Sequence, residues 1–149
     1  MTGAPILVLN GPNLNMLGSR EPGIYGSATL RAIEERCRAL CGELGHEARF
    51  EQSNHEGALI DALHAMHGSG GGVALNAGAH THTSLALADA VRAIDAPVVE
   101  VHLSNVHARE PVRHHSMIAP ACIGVVAGFG ASSYDLAIRA LAQRLKEDE

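Results

Sequence analysis

The chain of 149 residues contains no tryptophan, two phenylalanines (Phe50, Phe129) and two tyrosines (Tyr25, Tyr134). With so few rings to fill a core, each aromatic needs its own explanation. Lysine is scarcer still: Lys146, in the carboxyl-terminal tail, is the single one, which excludes Schiff-base catalysis by a buried amine. The three cysteines are an odd number. Cys37 and Cys41 lie one helical turn apart, Cys122 stands alone in an apolar run, and no CxxC pair exists. That pattern excludes a zinc ribbon or a thioredoxin-type motif and reads as reduced core thiols. No apolar run approaches the roughly 20 residues that span a bilayer, and Ile6 to Leu9 is too short for a secretory signal. The expected location is therefore cytoplasmic, with no membrane partner. Basic side chains number 11 against 16 acidic ones, a formal charge of −5. Without a basic stripe, nucleic acid is not an expected partner.

What is present is a hydrophobic fraction of 46% spread along the whole length. A chain of this size buries about two thirds of its unfolded surface, so residues 1–149 are expected to form one domain without disulfides or a structural metal. Ten histidines accompany this. Protonating all of them would move the formal charge from −5 to +5 (−5 + 10), within the pH range where imidazoles titrate.

Ile6 to Leu9 reads as a buried first strand ending in the turn cluster Asn10-Gly11-Pro12-Asn13. The following loop, about Gly11 to Ala28, is rich in glycine and proline; a loop of that length in a compact domain is usually functional, and about 18–28 is expected to form a mobile lid. Leu30, Ile33, Cys37, Leu40, Cys41 and Leu44 then recur at helical spacing, with Gly45 placed as a cap. His46 to Glu51 alternates as a second strand. Ser53-Asn54-His55-Glu56 has the form of a capping box before a helix carrying Leu59, Ile60, Leu63 and Met66. A third strand covers Val73 to Leu75, a helix Thr83 to Ile94, and a fourth strand Pro97 to Val101. After the polar loop His102 to Ser116, a fifth strand covers Ile123 to Val126, and Leu136, Ile138, Leu141 and Leu145 mark a last amphipathic helix. Strands alternating with helices predict right-handed crossovers and a parallel sheet covered on both faces. The expected class is an α/β, flavodoxin-like three-layer sandwich with five parallel strands in the order 2-1-3-4-5. A ligand then belongs at the carboxyl ends of strands one and three, so Asn10, Asn13, Asn76 and His102 should rim one pocket.

That rim gathers the three amides with His80, His82, His102, Arg20, Arg109, Arg113 and Tyr25. No serine sits in a nucleophile elbow, which leaves proton transfer without a covalent intermediate. A tyrosine in a lid is ordinarily a packing anchor. To serve as a base its pKa, ordinarily about 10, must come down to near 7 at a cost of roughly 4 kcal/mol, which close arginines such as Arg20 and Arg109 would supply. Glu100 lies two residues before His102, on the same face of a strand, where a carboxylate orients an imidazole and sustains its charged form; the alternative is a structural histidine with a buried hydrogen bond. A metal-dependent hydrolase built on His80, His82, His102, His107, His114 and His115 is a rival reading, although the spacings match no HExxH pair and the loops hold few carboxylates. A non-catalytic small-molecule binder is a third. The glycines carry no GxGxxG or P-loop signature.

Leu9-Asn10-Gly11-Pro12-Asn13-Leu14, Arg20-Glu21-Pro22 with Tyr25-Gly26, and Gln52-Ser53-Asn54 with Glu56-Gly57 form one series of blocks. Leu75-Asn76-Ala77-Gly78 with Thr81-His82-Thr83-Ser84, Glu100-Val101-His102-Leu103-Ser104-Asn105, and His107-Ala108-Arg109-Glu110 with Arg113 form another. In order and spacing, and over nearly the whole chain, these blocks resemble the type II 3-dehydroquinate dehydratases (type II dehydroquinases). The resemblance implies an anti elimination of water from 3-dehydroquinate through an enolate, giving 3-dehydroshikimate, with no metal or cofactor, in the shikimate pathway or in quinate breakdown. It implies Tyr25 as proton acceptor, Arg20 as stabiliser of the phenolate and transition state, His102 as proton donor held by Glu100, and Asn13 as the residue placing a water against the enolate. Substrate binding would fall to Asn76, His82, Arg113 and the backbone amides of Leu103 and Ser104, with Arg109 in the lid region. Asp89 would reach a neighbouring subunit's site, in keeping with a homododecamer built as a tetramer of trimers. His80 and Met117 depart from the residues more usual in that family.

Overall fold

The computed structural model describes residues 3–19, 21–25 and 28–149, apart from the side chains of residues 22 and 25. Five strands, β1 (Gly3–Asn10), β2 (His46–Gln52), β3 (Gly72–Asn76), β4 (Val98–His102) and β5 (Gly124–Ala127), alternate with helices. After the short α1 (Pro22–Tyr25) come α2 (Leu30–Glu43), α3 (Glu56–Ala65), α4 (Leu85–Ala93) and α5 (Ser132–Glu147). The strands are all parallel, as the alternation of strand and helix predicts, and their order is the expected flavodoxin-like β2-β1-β3-β4-β5.

β1 shows why the sheet is covered twice. Successive side chains of a strand point to opposite faces, and Ile6 and Val8 pack with Ile33, Cys37, Leu40 and Cys41 of α2 and with Ile138 and Leu141 of α5. Leu7 and Leu9 pack on the other side with Leu59 and Leu63 of α3 and Leu87 and Val91 of α4. A continuous apolar run is what a strand with two buried faces requires. Edge strand β2 instead alternates half-buried and exposed positions, and the other edge, β5, leaves Val125 half exposed.

Two helix starts differ from those read from the sequence. Ser84 caps α4, its Oγ accepting the Leu87 N–H at 2.9 Å, so the helix starts two residues later than Thr83. The capping box at Ser53 does not form. The α3 N-cap is His55 without a side-chain bond, Ser53 Oγ accepts the His55 N–H at 3.0 Å, and the Glu56 carboxylate instead accepts from Ser84 Oγ at 2.5 Å. A partner on α4 outcompetes the local one.

At the carboxyl ends of β1 and β3 the backbone is tied across the sheet. The Gly11 N–H donates to Asn76 O at 2.7 Å, and a Cβ on Gly11 would lie 2.5 Å from Ala77 O. Only glycine permits so close an approach.

Candidate active site

The chain enters the site region from β1 with Asn13 in the left-handed conformation, φ 69°, which asparagine tolerates better than most residues. The Asn13 N–H donates to Asn54 Oδ1 at 3.0 Å, and Gln52 Nε2 donates to Gly11 O at 3.1 Å. The loop after β1 is thereby anchored to the end of β2, leaving the exposed Asn13 on the rim.

A cleft opens above the carboxyl ends of β1, β3 and β4, enclosing about 530 Å³ including the part continuous with solvent. Asn13, Asn76, His82, His102, Arg109 and Arg113 all line it, as do Leu103 and Ser104. Sequence positions nearly 100 residues apart meet here because three parallel strands end side by side.

β4 supplies a buried carboxylate–imidazole pair. Glu100 and His102 share a face and are 2% and 6% exposed. His102 Nε2–H donates to Glu100 Oε2 at 2.6 Å, within the short range of a charge-assisted bond. With Nε2 committed, Nδ1 is the ring nitrogen left to exchange a proton. The second carboxylate oxygen, Glu100 Oε1, accepts from Ser116 Oγ at 2.6 Å. His82 Nδ1–H donates to His115 O at 2.8 Å, and its ring stacks on His102 with centroids 6.2 Å apart and planes inclined by 18°.

The cationic wall comes from the loop after β4. Arg113 Nε donates to Glu110 Oε1 at 2.8 Å, and Arg109 Nε lies 3.7 Å from the same oxygen. The Glu110 carboxyl is held below the usual carboxylate range by a hydrogen bond from its own backbone amide, with Arg113 and Arg109 adding to the effect. The two guanidinium groups flank one carboxylate, and their fork of donors suits a carboxylate ligand.

Below the cleft lies a polar network that the sequence reading did not anticipate. Asn10 does not rim the pocket; it is wholly buried. Tyr134 Oη donates to Asn10 Oδ1 at 2.7 Å and accepts from Asn76 Nδ2 at 2.9 Å. Asn76 Oδ1 in turn accepts the Gly78 N–H at 3.2 Å, and Asn10 Nδ2 donates to Glu51 O at 3.2 Å. Tyr134 is fully buried on α5, and burial pushes its phenol pKa upward, away from any role as a base. Its signal in the sequence was the rarity of aromatics together with its place in the last amphipathic helix.

Some site expectations concern residues outside the description or outside this chain's own cleft. Arg20 and the Tyr25 side chain lie outside the described residues, as does part of the expected 18–28 lid. Asp89 is exposed on α4, not on the cleft wall. Among the described residues, no three His, Cys, Asp or Glu side chains are grouped to hold a metal ion, and no helix is long and apolar enough to cross a membrane.

Comparison with known proteins agrees with this arrangement. Residues 4–142 match the family model "Dehydroquinase class II". A 3-dehydroquinate dehydratase of a Jannaschia species is 59% identical over 142 residues, covering 95% of this chain and 96% of the relative. One from Rhizobium johnstonii is 65% identical over 136 residues, covering 91% and 94%. The crystal structure of the type II dehydroquinase from Propionibacterium acnes superposes with a TM-score of 0.91 at 39% identity, covering 95% of this chain and 98% of that one. That of Butyrivibrio crossotus gives 0.90 at 41%, covering 93% and 97%. The chain belongs to the class II dehydroquinase family.

Proposed function

We propose that this chain is a hydro-lyase, a 3-dehydroquinate dehydratase, which removes water from 3-dehydroquinate by anti elimination through an enolate to give 3-dehydroshikimate, a step of the shikimate pathway or of quinate breakdown. The observation that carries the reading is the buried Glu100–His102 pair opening onto a cleft walled by Arg109 and Arg113.

The chemistry divides between two faces of the substrate. Tyr25, as phenolate beside Arg20, takes the proton next to the ketone; both assignments rest on the match of Arg20-Glu21-Pro22 and Tyr25-Gly26 to the family's blocks. Negative charge develops on the ketone oxygen, where a water placed by Asn13 stabilises it. His102, charged and balanced by Glu100, then delivers its Nδ1 proton to the departing hydroxyl while Nε2–H stays on the carboxylate. Arg113, His82, Asn76 and the amides of Leu103 and Ser104 hold the substrate, its carboxylate facing the guanidinium groups, and Arg109 closes with the lid region.

The rest of the proposal is a single catalytic domain over residues 1–149, a lid at about 18–28, a cytoplasmic location and a homododecamer of four trimers. The segment around edge strand β5 supports self-association: Val125 on the strand and Ile123 and Phe129 flanking it are 50%, 43% and 62% exposed, apolar surface that monomers usually protect. In that assembly Asp89, exposed on α4, would reach a neighbouring subunit's cleft.

Among the described residues the loop histidines form no group of three that would hold a metal ion, and the family match favours the dehydratase over the metal-dependent hydrolase. The test is to mix the purified chain with 3-dehydroquinate after exhaustive chelation and follow the conjugated enone product by ultraviolet absorbance. Turnover is expected to persist; activity lost on chelation and restored by zinc favours the hydrolase, and binding without turnover favours the small-molecule binder.

A further inference from the structure

The second oxygen of Glu100 is the feature that the assigned roles leave unexplained. A carboxylate 2% exposed has lost nearly all of its hydration, and an unpaired buried charge is among the costliest arrangements in a protein. His102 satisfies Oε2 and Ser116 satisfies Oε1, each at 2.6 Å. Ser116 is not free to turn elsewhere. A serine hydroxyl has one hydrogen and two lone pairs, and one lone pair accepts the Ala119 N–H at 2.9 Å. The backbone at Ala119 thereby turns the hydroxyl hydrogen toward Glu100. The end of the loop that carries it is itself fixed, since the adjacent Met117 N–H donates to Thr81 O at 2.8 Å.

We propose that Ser116 is a positioning residue for the elimination: by holding Glu100 Oε1 it fixes the carboxylate plane so that Oε2 meets His102 Nε2, and it sustains the negative charge that balances the imidazolium. This rests on the dehydratase reading above. Ser116 does not line the cleft, and its side-chain hydrogen bonds go to Glu100 and Ala119, so its influence on the acid passes through Glu100. The terminal torsion of a glutamate is broad and roughly two-fold, and a carboxylate held at one oxygen only can swing, carrying the imidazole out of line with the leaving group.

The experiment is a double-mutant cycle read by enone absorbance, comparing the unmodified chain, S116A, E100A and the S116A/E100A pair, with S116T as the conservative variant. S116A is expected to lower kcat about tenfold, the order of one charge-assisted hydrogen bond, with KM within about twofold. S116T, which keeps the hydroxyl, restores kcat to within about threefold of the unmodified chain. In the E100A background, adding S116A changes kcat by less than about twofold, because the carboxylate through which it acts is gone. An S116A variant with unchanged kcat overturns the proposal, and so does an equal loss with and without Glu100, which marks a purely structural cap of the Ala119 turn. If S116A fails to fold, S116C, which keeps the volume and weakens the donor, carries the same expectations. An unmodified chain that does not turn over 3-dehydroquinate overturns the reaction itself, and the positioning role with it.

Discussion

Replacing Tyr134 by phenylalanine removes one oxygen from the network beneath the cleft and leaves the packing of the ring intact. Two groups lose their partners: Asn10 Oδ1, which accepted the phenol proton at 2.7 Å, and Asn76 Nδ2, which donated to the phenol oxygen at 2.9 Å. Asn10 is 0% exposed and Asn76 3%, so water does not replace the lost partner. A buried donor or acceptor left unsatisfied costs about 1–3 kcal/mol, and two of them cost about 2–6 kcal/mol. Sparing the phenol its own desolvation returns about 1 kcal/mol, for a net loss near 3 kcal/mol. Against a total stability of about 5–15 kcal/mol this is a large fraction, and at about 2–4 °C per kcal/mol for this size it lowers the unfolding midpoint by about 6–12 °C. Urea unfolding followed by circular dichroism at fixed protein concentration measures it, with the midpoint lowered and the slope unchanged. Because Asn76 also lines the cleft, KM rises as well. A loss below about 1 kcal/mol refutes the reasoning, and would mean that the two amides, paired in register across β1 and β3, satisfy each other once the phenol is gone.

Two further predictions follow from the chemistry of single groups. Tyr25→Phe, which removes the proposed base, lowers kcat by orders of magnitude while 3-dehydroquinate still binds in a calorimetric titration; near-normal turnover contradicts the assignment. Burial, the largest cause in each case, pushes the thiols of Cys37 and Cys122 up to about 12 and that of Cys41 to about 11, from an ordinary value near 9. The folded chain therefore keeps these protons after the unfolded chain has released them, so this contribution to stability is complete below about pH 9 and is lost as pH rises toward 11–12. Thermal unfolding midpoints measured from pH 7 to 11 should hold steady and then fall above pH 9. A midpoint flat to pH 11 would show that the thiols do not control alkaline stability.

The fold was legible because its signals are local and periodic. Two-sided apolar runs mark β1 and β3, three-four spacing marks α2, and alternation of strand and helix calls for parallel crossovers, for which β2-β1-β3-β4-β5 is one of the common orders. Glu100 and His102 were legible as a pair for a similar reason, since two residues along a strand always share a face. Side-chain partners across the chain were not. Ser53 and Glu56 have the spacing of a capping box, yet Glu56 bonds Ser84, which no local pattern encodes. Asn10 was expected on the rim because it ends a strand at the switch point, but the direction of its side chain depends on a tyrosine 124 residues away. Ser116 was equally hidden, its meaning set by a carboxylate that only the folded sheet brings to it.

The central claim is that His102, held by Glu100, is the acid of the elimination. The measurement that tests it most directly is kcat for His102→Gln, a variant that keeps a donor for the buried Glu100. General acid catalysis is worth about 10²–10⁴-fold, so kcat read from enone absorbance is expected to fall at least about 100-fold while 3-dehydroquinate still binds. Turnover within a few-fold of the unmodified chain would contradict the account.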